Sequence, residues 1–177
     1  SIADMIAQAD PGLPEDPRPR ISRRVDSSPG WSADDLPWGE PDPSVRLSTH
    51  PAGPALSGRE AYRRVLPTLV CVEAAHADPF DGVSVGTGVV VSEAGYVLTN
   101  YHIIDETVSV RVHLLDDPGA SYDAKVIGFD EEFDIAVLKF EAGGRELTPA
   151  QLGDSDELAV GDWVYAVGNP MGYLLGS

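Results

Sequence analysis

From residue 57 onward, apolar residues recur in short runs that are separated by polar turns. In residues 108–114 apolar and polar positions alternate with a period of two, which is typical of a half-buried strand. Strands this short and this evenly spaced favour an antiparallel barrel or sandwich. The absence of intervening long helices argues against a doubly wound α/β sheet. The predicted strands are residues 70–74, 83–91, 96–99, 108–114, 122–129, 135–140 and 163–167.

A short helix is predicted just before the first strand. Ser57 and Glu60 have the spacing of a capping box, in which the serine caps the helix and the glutamate reaches back to it. The helix is expected to run from Arg59 to about Val65, because Pro67 disfavours helical backbone in the residue before it.

Residues 1–57 have a different composition. Most of the 15 prolines lie there, and the apolar residues are sparse and show no period. We therefore expect a disordered or extended Pro/Asp-rich tail in this range. Trp31 and Trp38 stand out in it. We interpret them as incidental, with a short docking motif as the alternative.

The charge balance restricts the partners. Asp and Glu number 29 against 12 Lys and Arg, for a formal net charge of -17. This charge repels phosphate backbones and anionic lipid, so neither nucleic acid nor a membrane surface is expected as a partner. No apolar run reaches the ~18 residues of a membrane span. The first ten residues also lack the basic and apolar regions of a secretory signal.

Four histidines and one cysteine are the candidates for reactive chemistry. Cys71 lies in an apolar run and is expected to be a buried core residue, not a nucleophile. His50 lies in the tail, His76 in a predicted loop and His113 in a predicted strand. None of these has metal-ligand spacing, so no metal site is expected.

His102 occupies a different position, where a strand ends and an apolar turn begins. Flanking apolar residues would fix it in place while its ring faces a cleft, which suits a general base. Such a histidine needs an acceptor to fix its tautomer. Asp134, immediately before the strand at 135–140, is the candidate, and burial at the mouth of that strand is expected.

Four blocks of sequence resemble the high-temperature-requirement (HtrA or Deg-like) family of trypsin-like serine proteases. GTGVVVSEAGYVLTNYHII at 86–104 is similar to the segment of the catalytic histidine, and FDIAVLK at 133–139 to that of the catalytic aspartate. LGDSDEL at 152–158 and VGDWVYAVGNPMG at 160–172 resemble the two blocks that follow. The blocks occur in the family's order and spacing over about half of the chain.

This resemblance implies two six-stranded antiparallel barrels with the active site between them. Residues 58–177 would form the first barrel only, with His102 as the base and Asp134 as its orienting carboxylate. The family carries its nucleophile in a Gly-x-Ser-Gly-Gly motif on the second barrel, and no such motif occurs here. The chain alone is therefore expected to be inactive.

The resemblance also implies features of the whole protein. Polypeptides, in particular unfolded or damaged proteins, would be the substrates, and no metal or organic cofactor would take part. Homotrimer formation, a following PDZ domain and a periplasmic or otherwise extracytoplasmic location are further features of the family.

Three polar residues imitate parts of such a site. Ser155 follows Gly153-Asp154, but Asp156-Glu157 stand where a nucleophile motif needs glycines, so Ser155 is expected to cap a turn. Ser177 is the last residue of the sequence. Asp130 lies close to Asp134 but is expected to be a solvated loop residue.

A non-catalytic function is the alternative. If the natural product ends near Ser177, the barrel would be a binding or interaction module, and its acidic surface and Pro-rich tail would carry the function. A lone barrel of this type would expose the apolar surface that normally faces its partner barrel, which argues against this alternative.

Overall fold

The computed structural model describes residues 32–45, 47, 56–78, 80–117 and 119–168. Within these ranges the α-helices are α1 (Gly58–Val65) and α2 (Tyr101–Ile104). The strands are β1 (Leu69–His76), β2 (Val83–Val90), β3 (Tyr96–Thr99), β4 (Thr107–Leu114), β5 (Ser121–Asp130) and β6 (Ile135–Phe140). Short 3-10 turns occupy Ala33–Asp35, Leu66–Thr68 and Ser155–Glu157.

The strands close into a barrel in the order β1-β2-β3-β6-β5-β4, and every neighbouring pair is antiparallel. This confirms the predicted six-stranded antiparallel barrel. Alternate residues of each strand point inward and fill the interior with branched apolar side chains. Fully buried members of this core include Val72, Val97, Val112, Val126 and Leu138.

The predicted capping box is confirmed at the start of α1. The Ser57 backbone N–H donates to the Glu60 carboxylate at 2.9 Å, and the Ser57 hydroxyl accepts from the Glu60 backbone N–H at 3.4 Å. Pro67 falls in the 3-10 turn that leads into β1. Cys71 in β1 is buried, as predicted. Burial raises the pKa of its thiol, and the negative charge of Glu73 raises this pKa further.

The prediction of a seventh strand at residues 163–167 is wrong. Residues 162–168 form no strand, although their composition favours one. The six strands close on one another, and the stretch of β5 that β4 leaves unpaired is taken at Val126 by Pro37 and Gly39, so residues 162–168 pair with neither. The side chains of this segment are left exposed, among them Trp163 at 89%.

Within the range predicted as a disordered or extended tail, residues 32–39 lie against the barrel, and we call them the N-terminal strap. Leu36 in this strap is only 4% exposed. The Val126 N–H donates to the Pro37 carbonyl at 2.9 Å, and the Gly39 N–H donates to the Val126 carbonyl at 2.8 Å. The strap finds a partner here because β4 pairs with β5 only up to Ala124. Residues 1–31, including Trp31, and 48–55 lie outside the described residues.

Among the described residues, none of the helices has the length and the hydropathy needed to cross a membrane.

Candidate active site

His102 is held by the short helix α2, directly after β3. Asn100 has extended backbone at the start of this helix, and Ile103 and Ile104 at its end are buried. The helix lies close to β2 because Gly86 has no side chain; a Cβ there would lie 2.7 Å from Cδ1 of Ile103. The His102 side chain points away from this packing and is 64% exposed. Burial of its neighbours thus fixes the backbone while the imidazole stays accessible.

Asp134 ends the turn between β5 and β6. Its backbone has φ +52°, in the left-handed region that non-glycine residues rarely adopt and that Asp tolerates better than most. The predicted burial of Asp134 is wrong, since its side chain is 42% exposed. The turn lies at the rim of the barrel, where the carboxylate faces His102 and not the core.

The structure brings the two predicted residues into direct contact. His102 Nδ1 lies 2.7 Å from Asp134 Oδ2, and the His102 backbone N–H donates to Asp134 Oδ1 at 2.9 Å. Each carboxylate oxygen therefore has a separate partner on the same residue. This two-point contact sets the orientation of the imidazole as well as its distance.

Asn100 is part of this site and was missed by sequence reasoning. Its Nδ2 donates to Asp134 Oδ2 at 3.1 Å and to the Asp134 carbonyl oxygen at 3.2 Å. The only signal in the sequence was its position two residues before His102. That position carries no information about a partner 34 residues away.

The contact with Asp134 defines the protonation of a neutral His102. An ionised carboxylate only accepts hydrogen bonds, so Nδ1 must carry the proton and Nε2 must keep its lone pair. No hydrogen bond to Nε2 is formed within the described ranges. This nitrogen is therefore able to accept a proton from a hydroxyl group brought against it.

Opposing effects act on the Asp134 carboxyl. Partial burial raises its pKa, but the hydrogen bonds from the His102 backbone and ring, the His102 charge and the Asn100 amide together outweigh burial. The pKa of Asp134 therefore lies below its ordinary value. This keeps the carboxylate ionised, as an acceptor for Nδ1–H requires.

At about pH 4, where an unperturbed aspartate is half protonated, we expect more than half of Asp134 to be ionised. Because its pKa is lowered on folding, its contribution to the free energy of unfolding is complete above the ordinary Asp pKa. That contribution is lost as the pH falls through the folded pKa. A ¹³C NMR titration of the side-chain carboxyl measures this directly. His102→Ala should move the Asp134 pKa upward, and an unchanged pKa in that variant would contradict our assignment of the cause.

The other described histidines are occupied elsewhere. His76 is the last residue of β1 and not a loop residue, and its ring lies 2.9 Å from the Ser84 hydroxyl and 3.2 Å from the Glu106 carbonyl. His113 is in β4, as predicted, with Nε2 3.7 Å from Glu73. Within the described ranges, no three His, Cys, Asp or Glu side chains converge as metal ligands would.

The residues that imitate a site have structural contacts. Asp154, and not Ser155 as predicted, caps the 3-10 turn at 155–157, accepting from the Asp156 N–H at 3.0 Å. The 3-10 turn begins at Ser155 itself, so the capping position falls on Asp154, the residue before it. Asp130 accepts from the Phe133 N–H at 3.1 Å and shapes the turn that ends in Asp134. Ser177 lies outside the described residues.

Comparison with known proteins finds relatives for the part of the chain that contains His102 and Asp134. Residues 86–176, about half of the chain, match the trypsin-like peptidase domain family. A probable periplasmic serine endoprotease DegP-like from Chlamydia trachomatis is 45% identical over 87 residues, which cover 49% of this chain and 17% of that protein. Its counterpart from Brucella suis is 48% identical over 90 residues, covering 51% and 17%.

A third relative is the periplasmic pH-dependent serine endoprotease DegQ of Escherichia coli. It is 44% identical over 97 residues, which cover 54% of this chain and 20% of the relative. The chain thus spans about a fifth of the length of these proteins.

Proposed function

Since the chain belongs to the trypsin-like peptidase domain family, and within it to the HtrA/Deg-like serine proteases, we propose that it supplies the general base and the orienting carboxylate of a serine endopeptidase. The observation that carries this proposal is the 2.7 Å contact between His102 Nδ1 and Asp134 Oδ2. This contact orients the ring so that Nε2 is left to accept the proton of a serine hydroxyl.

In this mechanism His102 acts first as a general base and then as a general acid. Nε2 takes the proton of a serine hydroxyl as its oxygen attacks the peptide carbonyl, and then gives that proton to the leaving amine. Asp134 holds the ring in the required tautomer and stabilises the imidazolium without itself becoming protonated. The lowered pKa of Asp134 supports this role, since a carboxylate that protonated first could not stabilise the cation.

The nucleophile is proposed to come from a further part of the protein. The 177 residues contain no Gly-x-Ser-Gly-Gly motif. The exposed apolar side chains after the barrel support a second barrel that would cover them and carry the serine and the oxyanion hole. These side chains are Leu158, Val160, Trp163, Val164 and Tyr165.

Substrates and context are inferred at the level of the family. We propose polypeptide substrates, in particular unfolded or damaged proteins, and no cofactor, because the triad chemistry needs none. The relatives named as periplasmic support an extracytoplasmic location. A homotrimer and a following PDZ domain are proposed for the whole protein on the family resemblance alone.

The test begins with the source gene downstream of the Ser177 codon. An open frame that encodes Gly-x-Ser-Gly-Gly within about one barrel length defines the longer protein to be purified. A stop codon directly after Ser177 would overturn the proposal and favour the non-catalytic binding module.

We expect the 177-residue chain to hydrolyse labelled casein no faster than the background rate, because it has a base without a nucleophile. The longer protein should hydrolyse casein and form a fluorophosphonate adduct at the motif serine. Serine-dependent cleavage by the 177-residue chain, or a longer protein that neither cleaves nor labels, would contradict the proposal.

A further inference from the structure

We propose that the N-terminal strap positions the active-site histidine, and that Trp38 is the positioning residue through which it acts. The inference rests on the proposed function in one respect, namely that His102 is the base. The structural coupling that it describes can be measured without peptidase activity.

The strap is held together by hydrogen bonds between its own residues. Ser32 and Asp35 form a capping box: the Ser32 N–H donates to the Asp35 carboxylate at 2.8 Å, and the Ser32 hydroxyl accepts from the Asp34 N–H at 3.2 Å. The Trp38 indole Nε1–H donates to the Ala33 carbonyl at 2.8 Å. The indole is therefore held by its own segment as well as by the barrel.

The barrel provides a specific place for this unit. Val126 in β5 exchanges two backbone hydrogen bonds with the strap, at 2.9 and 2.8 Å. The β5–β6 register shifts between Val126 and Gly128, next to this contact. The strap thus pairs with β5 where β4 has stopped pairing with it, and Leu36 enters the core beside this contact.

An aromatic series leads from the strap to the active site. The Trp38 ring lies 5.9 Å from that of Phe129, and Phe129 stacks on Tyr101 at 4.6 Å. Tyr101 directly precedes His102, and its hydroxyl donates to Asp105 at 3.0 Å across α2. Ring pairs at these separations add to the stability that burial alone provides.

Phe129 also connects the strap to the second residue of the pair. It lies near the end of β5, just before the turn that places Asp134. The Phe129 ring therefore packs on the helix that carries His102, and the Phe129 backbone leads into the turn that carries Asp134. Removing the indole would leave a cavity against this ring, and the side chains around a cavity relax only in part. We expect the His102–Asp134 contact to loosen as a result.

The experiment compares Trp38→Ala and Trp38→Phe with a matched control, Tyr122→Ala, in the 177-residue chain. Tyr122 is also a half-buried ring that packs on a core phenylalanine, since it lies 5.4 Å from Phe140. It has no ring contact with Phe129. The readout is hydrogen exchange of the His102 backbone N–H, which Asp134 accepts, relative to the N–H of Val97 in the barrel core.

We expect Trp38→Ala to raise this exchange ratio by about tenfold through local opening of the site, and Tyr122→Ala to leave it unchanged. Trp38→Phe should restore most of the protection, because an aromatic ring again packs on Phe129. The low-field ¹H signal of His102 Nδ1–H should broaden in parallel in Trp38→Ala only.

An equal rise of the ratio in Trp38→Ala and Tyr122→Ala would overturn the proposal, since the strap would then contribute only to general stability. An unchanged ratio in Trp38→Ala would overturn it as well. Both outcomes are independent of whether a serine completes the site. Failure of the proposed function would appear as missing peptidase activity with the exchange result intact.

Discussion

Replacing Asp134 by Asn is expected to lower the turnover number of the longer, serine-containing protein by about four orders of magnitude. The contacts of the carboxylate explain the direction. Oδ1 accepts from the His102 backbone N–H, so an Asn oxygen would occupy that position and the amide NH₂ would face Nδ1. A donor in that place requires Nδ1 to accept, which puts the ring proton on Nε2 and removes the base.

Casein hydrolysis under saturating substrate measures this effect, and the ring ¹⁵N shifts of His102 report the tautomer. The matched control is Asp123→Asn, because Asp123 is exposed on β5 and, among the described residues, its side chain is paired with Arg111 alone, at 3.4 Å. We expect that variant to stay within about twofold of the original turnover, as surface substitutions usually do. An Asp134→Asn enzyme with undiminished turnover would refute the proposed role.

Gly95→Ala is expected to reduce the free energy of unfolding by about 3 kcal/mol or more. Gly95 has φ +85°, a conformation in which an alanine is strained. A Cβ there would also overlap the carbonyl oxygen of Phe140. The Phe140 N–H donates to the Gly95 carbonyl at 3.0 Å, so the overlap would disturb the junction of β3 with β6.

Gly144→Ala separates the two causes. Gly144 has φ +88°, close to that of Gly95, but a Cβ added to it meets no atom of the described part of the chain within 4 Å. This variant should therefore lose only the strain, about 1 kcal/mol. Denaturant unfolding of the two variants side by side gives the comparison. Equal losses would show that the contact with Phe140 contributes nothing.

The barrel could be predicted from the sequence because a strand with one buried face repeats every two residues. The prediction for 96–99 matches β3 and that for 135–140 matches β6, and the other four strands differ at their ends by one or two residues. The same pattern placed His102 after a strand and Asp134 before one. Their contact followed from the family resemblance, since no local rule specifies it.

The failures have a common origin in contacts between distant segments. Residues 163–167 have the composition of a strand, yet the barrel strands pair with one another and, at Val126, with the strap. The strap lies in the Pro-rich N-terminal range, yet its backbone pairs with Val126 and its indole packs against Phe129. Asn100 and the exposure of Asp134 likewise depend on how the rim of the barrel is assembled. Composition and periodicity report local preference and contain none of this.

Barrel closure has a consequence for the order in which the chain can fold. Strands β1–β3 form one meander and β4–β6 another, and each can form from contacts between neighbouring hairpins. The two meanders join through the β1–β4 and β3–β6 pairings, which close longer loops and are entropically slower to form. His102 extends from β3 and Asp134 leads into β6, 32 residues apart. Each meander alone therefore holds only one member of the pair, and we expect the contact between His102 and Asp134 to form only when the two meanders join.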